Sequence, residues 1–123
     1  MSQQPNLSGA DVRRRVLGDA HVQRTTTGGD PFLAPFYELA TEHAWGGAWV
    51  RPGLELKQRS LVVVSVLIAL ARAHELRLHF RGALNVGWTP EELREVCLQA
   101  AAYAGYPAAL EAVRLLAEVV NER

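Results

Sequence analysis

The chain has 123 residues, of which 49% are hydrophobic and 21% charged. This length suits one domain with a single core, and the composition is that of a globular protein rather than a disordered one. The 13 basic and 13 acidic residues cancel to a formal net charge of zero. Net charge therefore gives no reason to expect a nucleic-acid partner or a membrane surface.

The single cysteine, Cys97, excludes an intramolecular disulfide, a Cys-x-x-Cys redox pair and a zinc site built from several cysteines. Its apolar neighbours predict an inert core thiol. The N-terminal residues are too polar for a signal peptide. The apolar run 61–71 is shorter than the roughly 20 residues of a membrane-spanning helix. We therefore expect a cytoplasmic protein.

The N-terminal part predicts a frayed tail over residues 1–8, followed by one helical domain over residues 9–123. Either Ser8 or Asp11 can cap a first short helix that ends near Gly18. Its apolar positions are Val12, Val16 and Leu17.

The next segment predicts a loop over residues 25–31, in which Asp30 is a helix cap and Pro31 the first helical residue. The helix that follows is expected to end near Gly46. Residues 49–54 are then extended or turning, because Pro52 and Gly53 interrupt a helix. The apolar face of the helix is Phe32, Phe36 and Leu39, with His43 at the same spacing.

The C-terminal part predicts four more helices. An apolar helix runs from about residue 55 to 72, and a second, amphipathic one stops at residues 85–87. Thr89, Pro90 and Glu92 form the pattern of a capping box at the start of the next, and Pro107 opens the last. Because no alternating strand pattern occurs, we predict an all-α bundle of about six helices.

The run 61–71 is apolar on every side, which predicts a fully buried helix. A chain of this size covers such a helix poorly by itself, so we expect a homo-oligomer.

Several side chains at the end of the apolar run 61–71 are able to bind an anion and move a proton. On a continuous helix, Arg72, Glu75 and His79 share one face. Glu75 could orient the imidazole and raise the pKa of His79, but the two could equally be an ordinary ion pair, and Arg72 an ordinary helix-end charge. We expect Arg77 and Arg81 to form solvated or intersubunit ion pairs.

A second group of candidate functional residues lies within residues 45–54, where Trp45, Trp49 and Arg51 occupy a glycine-bounded connection. These residues could wall a binding pocket and supply a guanidinium, or they could fill an oligomer interface. His74 and His79 lie on different helix faces, so we expect no metal site.

Several short stretches follow one another in a specific order and spacing: residues 15–22, 44–46 with Trp49, 51–54, 59–61, 75–79, 83–87 and 103–109. Together they resemble the carboxymuconolactone decarboxylase family, within the alkylhydroperoxidase D-like superfamily. The resemblance covers nearly the whole chain. The superfamily's thiol peroxidases carry Cys-x-x-Cys at the positions of Arg72 and Glu75, so a thiol oxidoreductase is disfavoured here.

The resemblance implies an all-helical protomer, a trimer or hexamer, and decarboxylation of a dicarboxylate lactone, 4-carboxymuconolactone, in aromatic catabolism. No cofactor is implied, because the lactone itself accepts the electron pair. His79 would be the general acid, oriented by Glu75. The remaining candidates are Arg51, Arg72 and Arg59 as anion binders, and Trp45 and Trp49 as groups that exclude water. The alternative is a non-catalytic helical oligomer that binds an acidic ligand or partner.

Overall fold

The computed structural model describes residues 7–122, with the backbone alone at Thr27. Within that range there is no strand, which confirms the all-α prediction, and seven α-helices occur where about six were predicted. They are α1 (Gly9–Leu17), α2 (Asp19–Val22), α3 (Ala34–Ala40), α4 (Leu56–Leu70), α5 (Ala73–Asn85), α6 (Pro90–Ala104) and α7 (Tyr106–Asn121); a 3₁₀ turn covers Pro31–Leu33, a first π-helical segment Gln23–Thr27 and a second Thr41–Trp49.

The described chain divides into two compact units between Arg59 and Ser60. The first unit contains α1 to α3, both π-helical segments and the first turn of α4. The second contains the rest of α4 and α5 to α7. Each unit has its own buried side chains. The single domain expected over residues 9–123 stays a prediction, and residues 1–6 of the expected tail lie outside the described residues.

In the first unit, α1 begins with the predicted cap. The Ser8 hydroxyl accepts from the Asp11 N–H at 3.1 Å, and the Asp11 carboxylate accepts from the Ser8 N–H at 3.3 Å. One residue later, Gly9 touches the second π-helical segment. A Cβ atom at Gly9 would lie 2.6 Å from the Gly46 Cα and 2.8 Å from the Thr41 carbonyl oxygen. Only glycine permits this close approach of two backbones.

The two π-helical segments correct the predicted element boundaries. Residues 25–27, expected in a loop, are helical, and the Gly28 N–H donates to the Gln23 carbonyl at 2.6 Å, five residues back. The second segment continues through Gly46 to Trp49, so a helix end near Gly46 and an extended Trp49 were wrong. Contact with α1 supports the backbone where glycine would otherwise end the helix. The Asp30 cap is confirmed, since its carboxylate accepts from the Phe32 N–H at 2.9 Å.

In the second unit, four longer α-helices enclose an apolar core. The predicted capping box of α6 is confirmed by a 3.1 Å bond from the Glu92 N–H to the Thr89 hydroxyl and a 3.0 Å bond in return. Gly105, at a φ of 98°, ends α6 in a conformation that favours glycine. The core consists of Val64, Ile68, Leu76, Phe80, Ala83, Leu93, Cys97, Ala112, Leu116 and Val119.

Helix α4 is not fully buried in the single chain, contrary to the prediction. Val62, Val66 and Leu70 are exposed, because the core lies along the face that carries Val64 and Ile68. The homo-oligomer inferred from this helix stays a prediction. Across residues 7–122, no helix combines the length and apolarity that crossing a membrane would require.

Ion pairs join α5 to α7 at the surface of the second unit. Arg77 pairs with Glu118 and, at 3.1 Å, with Glu122, and Arg81 pairs with Glu122. Within the chain, both arginines therefore form solvated ion pairs, which is one of the two predicted alternatives. They connect the outer faces of two helices whose inner faces meet in the core.

Candidate functional site

In the first unit, the two tryptophans predicted to line a site stack on each other. The Trp45 and Trp49 rings are 4.6 Å apart at an interplanar angle of 17°, and both side chains are buried. Their four-residue spacing places them on one side of the helical backbone. The pair forms a flat apolar stack, and its role as a wall that excludes water stays a prediction.

Arg51 and Arg59 are also brought together in the first unit. The Arg59 Nη2 donates to the Arg51 carbonyl oxygen at 2.8 Å, while the Arg51 side chain is exposed. The Arg59 Nε is buried and has no acceptor among the residues that the structure describes. A buried donor of this kind favours an acceptor from a bound molecule, since leaving it unsatisfied is costly. This buried donor distinguishes Arg59 among the three arginines predicted to bind anions.

The second unit holds the other three predicted residues, and it places Arg72 differently from the prediction. Ala71 has a φ of 57° and Arg72 is the N-cap of α5, at φ −93° and ψ 80°. The helix is interrupted there, so the expectation that Arg72 shares a helix face with Glu75 and His79 was wrong. Glu75 and His79, at i and i+4 in α5, do share a face.

His79 is half-buried, and its Nδ1 atom is shielded from solvent. Its helix is held in place by the neighbouring buried side chains Leu76 and Phe80. Glu75, one turn earlier, is exposed in the first turn of α5. The imidazole of His79 is therefore carried by a helix anchored in the core. The roles of His79 as general acid and of Glu75 as the carboxylate that orients it stay predictions.

Two open grooves of the second unit, of about 590 and 580 Å³, lie away from all seven predicted residues. Glu95 lines the larger, between α4 and α6, and Cys97 lines the smaller, between α6 and α7. Among residues 7–122, no basic side chain lines either groove, so neither suits a dianion. Burial raises the pKa of the Cys97 thiol to about 11, which agrees with the predicted inert core thiol.

Arg13 is a residue that the sequence analysis overlooked. It is 5% exposed, in α1, and its Nη1 and Nη2 donate to the hydroxyls of Thr26 and Thr25 at 2.6 and 3.0 Å. Its Cζ lies 5.3 Å from the centre of the Tyr37 ring. A signal was present, because Arg13 falls three residues before Val16 and so on the apolar side of the first helix.

The described chain is thus all-α, with Arg51, Arg59 and the stacked indoles in the first unit. Arg72, Glu75 and the half-buried His79 lie in the second. The model of the carboxymuconolactone decarboxylase family matches residues 34–118, more than half of the sequence. The chain belongs to the carboxymuconolactone decarboxylase family, as the resemblance predicted.

Two relatives align over 114 residues, 93% of this chain. The nitrosuccinic acid decarboxylase of Metarhizium robertsii is 44% identical, with 80% of its length covered. The 4-carboxymuconolactone decarboxylase of Acinetobacter baylyi is 42% identical, with 85% covered. A shorter match of 39 residues, 49% identical, covers 32% of this chain and 81% of a 4-carboxymuconolactone decarboxylase from Pseudomonas putida. The expectation of a decarboxylase family is thus confirmed.

Proposed function

We propose that this protein is a cofactor-independent decarboxylase of a dicarboxylic acid, with 4-carboxymuconolactone as its first candidate substrate. The observation that carries the proposal is the 42% identity to a 4-carboxymuconolactone decarboxylase over 93% of the chain. The chemistry of that lactone is consistent with the residues available.

In the lactone, the carboxylate that leaves is on the ring carbon γ to an unsaturated carbonyl. When its carbon–carbon bond breaks, carbon dioxide departs and the electron pair moves through the double bond to the carbonyl oxygen. A proton then adds to the α-carbon and gives the enol-lactone. The protein has to bind two carboxylates, stabilise negative charge on the oxygen and deliver one proton.

Nitrosuccinate is the second candidate, favoured by the 44% identity to a nitrosuccinic acid decarboxylase. Loss of the carboxylate beside the nitro group leaves a nitronate, and a proton then adds to its carbon. Both candidates are dicarboxylates that carry their own electron acceptor, and both lose one carboxylate and keep the other. The same cations and the same proton donor would therefore serve either substrate.

His79 is the proposed general acid and Glu75 the carboxylate that orients it. Arg51, Arg59 and Arg72 supply positive charge for the carboxylates and the developing oxyanion. For Arg59, the buried Nε without an acceptor among the described residues supports this role. The stacked indoles of Trp45 and Trp49 would leave the departing carboxylate poorly solvated, which favours its loss.

The test is to incubate the purified protein with each candidate substrate separately in deuterated water and to follow both reactions by NMR. We expect the enol-lactone from 4-carboxymuconolactone, faster than in the blank, with deuterium at the α-carbon. Acceleration of nitrosuccinate alone would replace the first candidate by the second. If neither substrate reacted faster than its blank, the decarboxylase proposal would fail in favour of a non-catalytic anion-binding oligomer.

A further inference from the structure

Arg13 carries a buried positive charge that the described part of the chain does not neutralise. Its polar contacts are two threonine hydroxyls and the face of Tyr37, and no carboxylate of residues 7–122 lies within ion-pair distance. Burial lowers the pKa of the Arg13 guanidinium, yet an arginine side chain stays protonated in proteins. A buried charge without an opposite charge disfavours folding. We therefore expect Arg13 to serve a function other than stability.

The two threonines that hold Arg13 differ in what remains available to a ligand. The Thr25 hydroxyl accepts from Arg13 and donates to the His21 carbonyl at 3.0 Å, so its hydrogen is engaged. The Thr26 hydroxyl accepts from Arg13 at 2.6 Å, and its own hydrogen has no acceptor among the described residues. Thr26 is also exposed. The buried Arg13 guanidinium thus adjoins a hydroxyl donor on an exposed residue.

One of the predicted site residues, Trp45, lies in the helical stretch that contacts α1. Helix α1 runs against the helical stretch 34–49, with Gly9 next to Gly46 and Arg13 over Tyr37. Trp45 directly precedes Gly46 in that stretch. Arg13 therefore lies along the contact of two elements that also hold Trp45, all within the first unit.

We propose that Arg13 and the Thr26 hydroxyl bind a carboxylate, and that in the reaction proposed above this is the carboxylate that the substrate keeps. The inference rests on that proposed function only for the identity of the substrate. A strong cation suits the retained carboxylate because its charge is the same before and after decarboxylation. It would tighten binding of the substrate and the transition state equally, whereas pairing with the leaving carboxylate would oppose its departure.

The experiment uses succinate, a dicarboxylate that does not react, and succinamate, which lacks one of its charges. Calorimetric titration gives their affinities for the wild type, Arg13→Met and Arg15→Met, the last a control for an exposed arginine of the same helix. We expect Arg13→Met to weaken succinate binding about ten- to a hundredfold. The preference of the wild type for succinate over succinamate should also disappear, and Arg15→Met should leave both unchanged.

Thermal unfolding separates binding from a purely structural role. If Arg13 serves binding, Arg13→Met keeps or raises the melting temperature, because an unneutralised buried charge is removed. Thr26→Val should weaken succinate binding without changing the melting temperature, while Thr25→Val, which breaks the bond to His21, should lower it.

Equal succinate affinity in the wild type and Arg13→Met would overturn the inference, as would a wild type that binds succinate no better than succinamate. A lowered melting temperature with unchanged affinity would make Arg13 a structural residue. Because these titrations need no turnover, Arg13-dependent succinate binding would stand even if neither candidate substrate reacted. In that case the proposed function alone would have failed.

Discussion

The two units of the chain are built in different ways. In the first, the helices are short or widened to π geometry, and Phe32 and Phe36 are 87% and 67% exposed. Its interior combines the buried Val12 and Val16 with the stacked indoles and the buried Arg13, and Gly9 makes a close backbone contact. In the second, regular α-helices enclose a contiguous apolar core, and ion pairs lie outside it.

This difference matches a division of the candidate chemistry. Trp45, Trp49, Arg51 and Arg59 lie in the irregular unit, together with Arg13, and are suited to binding an anion. His79 lies in the regular unit, on a helix anchored by its core. Irregular helical geometry is frequent at functional sites, whereas a proton donor benefits from a rigid support. Most of the proposed anion-binding residues therefore lie in the first unit, and the proposed proton donor lies in the second.

The largest expected effect is on catalysis, and it tests the role given to the second unit. Replacing His79 by Gln should lower kcat by about 10²–10⁴ with little change in KM, since a general acid acts in the transition state. His74→Gln, at an exposed position of the same helix, should leave kcat unchanged. Steady-state rates with the substrate that the NMR experiment identifies give both values. An undiminished kcat in His79→Gln would remove proton delivery from this helix.

A second test compares the apolar side chains of the two units. Phe80→Ala, in the core of the second unit, should lower the free energy of unfolding by about 3–5 kcal/mol because it removes a fully buried ring. Phe36→Ala, at an exposed position of the first unit, should change it by less than about 0.5 kcal/mol. Urea unfolding measures both. Similar losses in the two variants would mean that Phe36 is covered in solution, as in an oligomer.

The close backbone contact of the first unit gives a smaller effect. In an ordinary helix, glycine to alanine is stabilising, but at Gly9 the new Cβ would collide with the backbone at Thr41 and Gly46. We expect Gly9→Ala to lower the free energy of unfolding by about 1–3 kcal/mol. Gly53→Ala, where no heavy atom lies within 4 Å, serves as the control, with a change below about 0.5 kcal/mol. A stabilised Gly9→Ala would contradict the described contact of α1.

The smallest effect concerns the surface ion pairs of the second unit. The hydrogen bond from Arg81 lowers the pKa of Glu122, and the charges of Arg81 and Arg77 lower it further. Near the ordinary pKa of a carboxylate, the unfolded state therefore binds more protons than the folded state. The stabilisation is present above that pKa and is lost as the pH falls through the lowered folded value.

The melting temperatures of the wild type and Glu122→Gln, measured from pH 7 down to about pH 3, test this. We expect a small advantage of the wild type at pH 7 that disappears at the acid end. Glu111→Gln, at an exposed position of the same helix, should show no such trend. A difference that stayed constant with pH would rule out the ion pairs as its source.

The sequence predicted best what depends on neighbours along the chain. The caps at Ser8, Asp30 and Thr89 were found because each satisfies N–H groups two or three residues away. The buried Cys97 and the all-α class follow likewise from apolar periodicity. The sequence did not predict which side of α4 is exposed in the single chain, because an apolar residue does not itself reveal whether another element covers it.

The predictions that were wrong depend on contacts between residues that are distant in sequence. The left-handed conformation of Ala71 separates Arg72 from the helix of Glu75 and His79, and alanine carries no signal for it. The helix continues through Gly46 at its close contact with Gly9, which is distant in sequence.

The sequence by itself determined the helical class, most helix starts and the family of this protein, because these reside in local periodicity, capping and the order of short motifs. Only the tertiary structure decided that Arg13 is buried and that Arg59 holds the Arg51 backbone. The physical reason is that the state of an arginine depends on which groups folding brings around it, and charge alone predicts the surface.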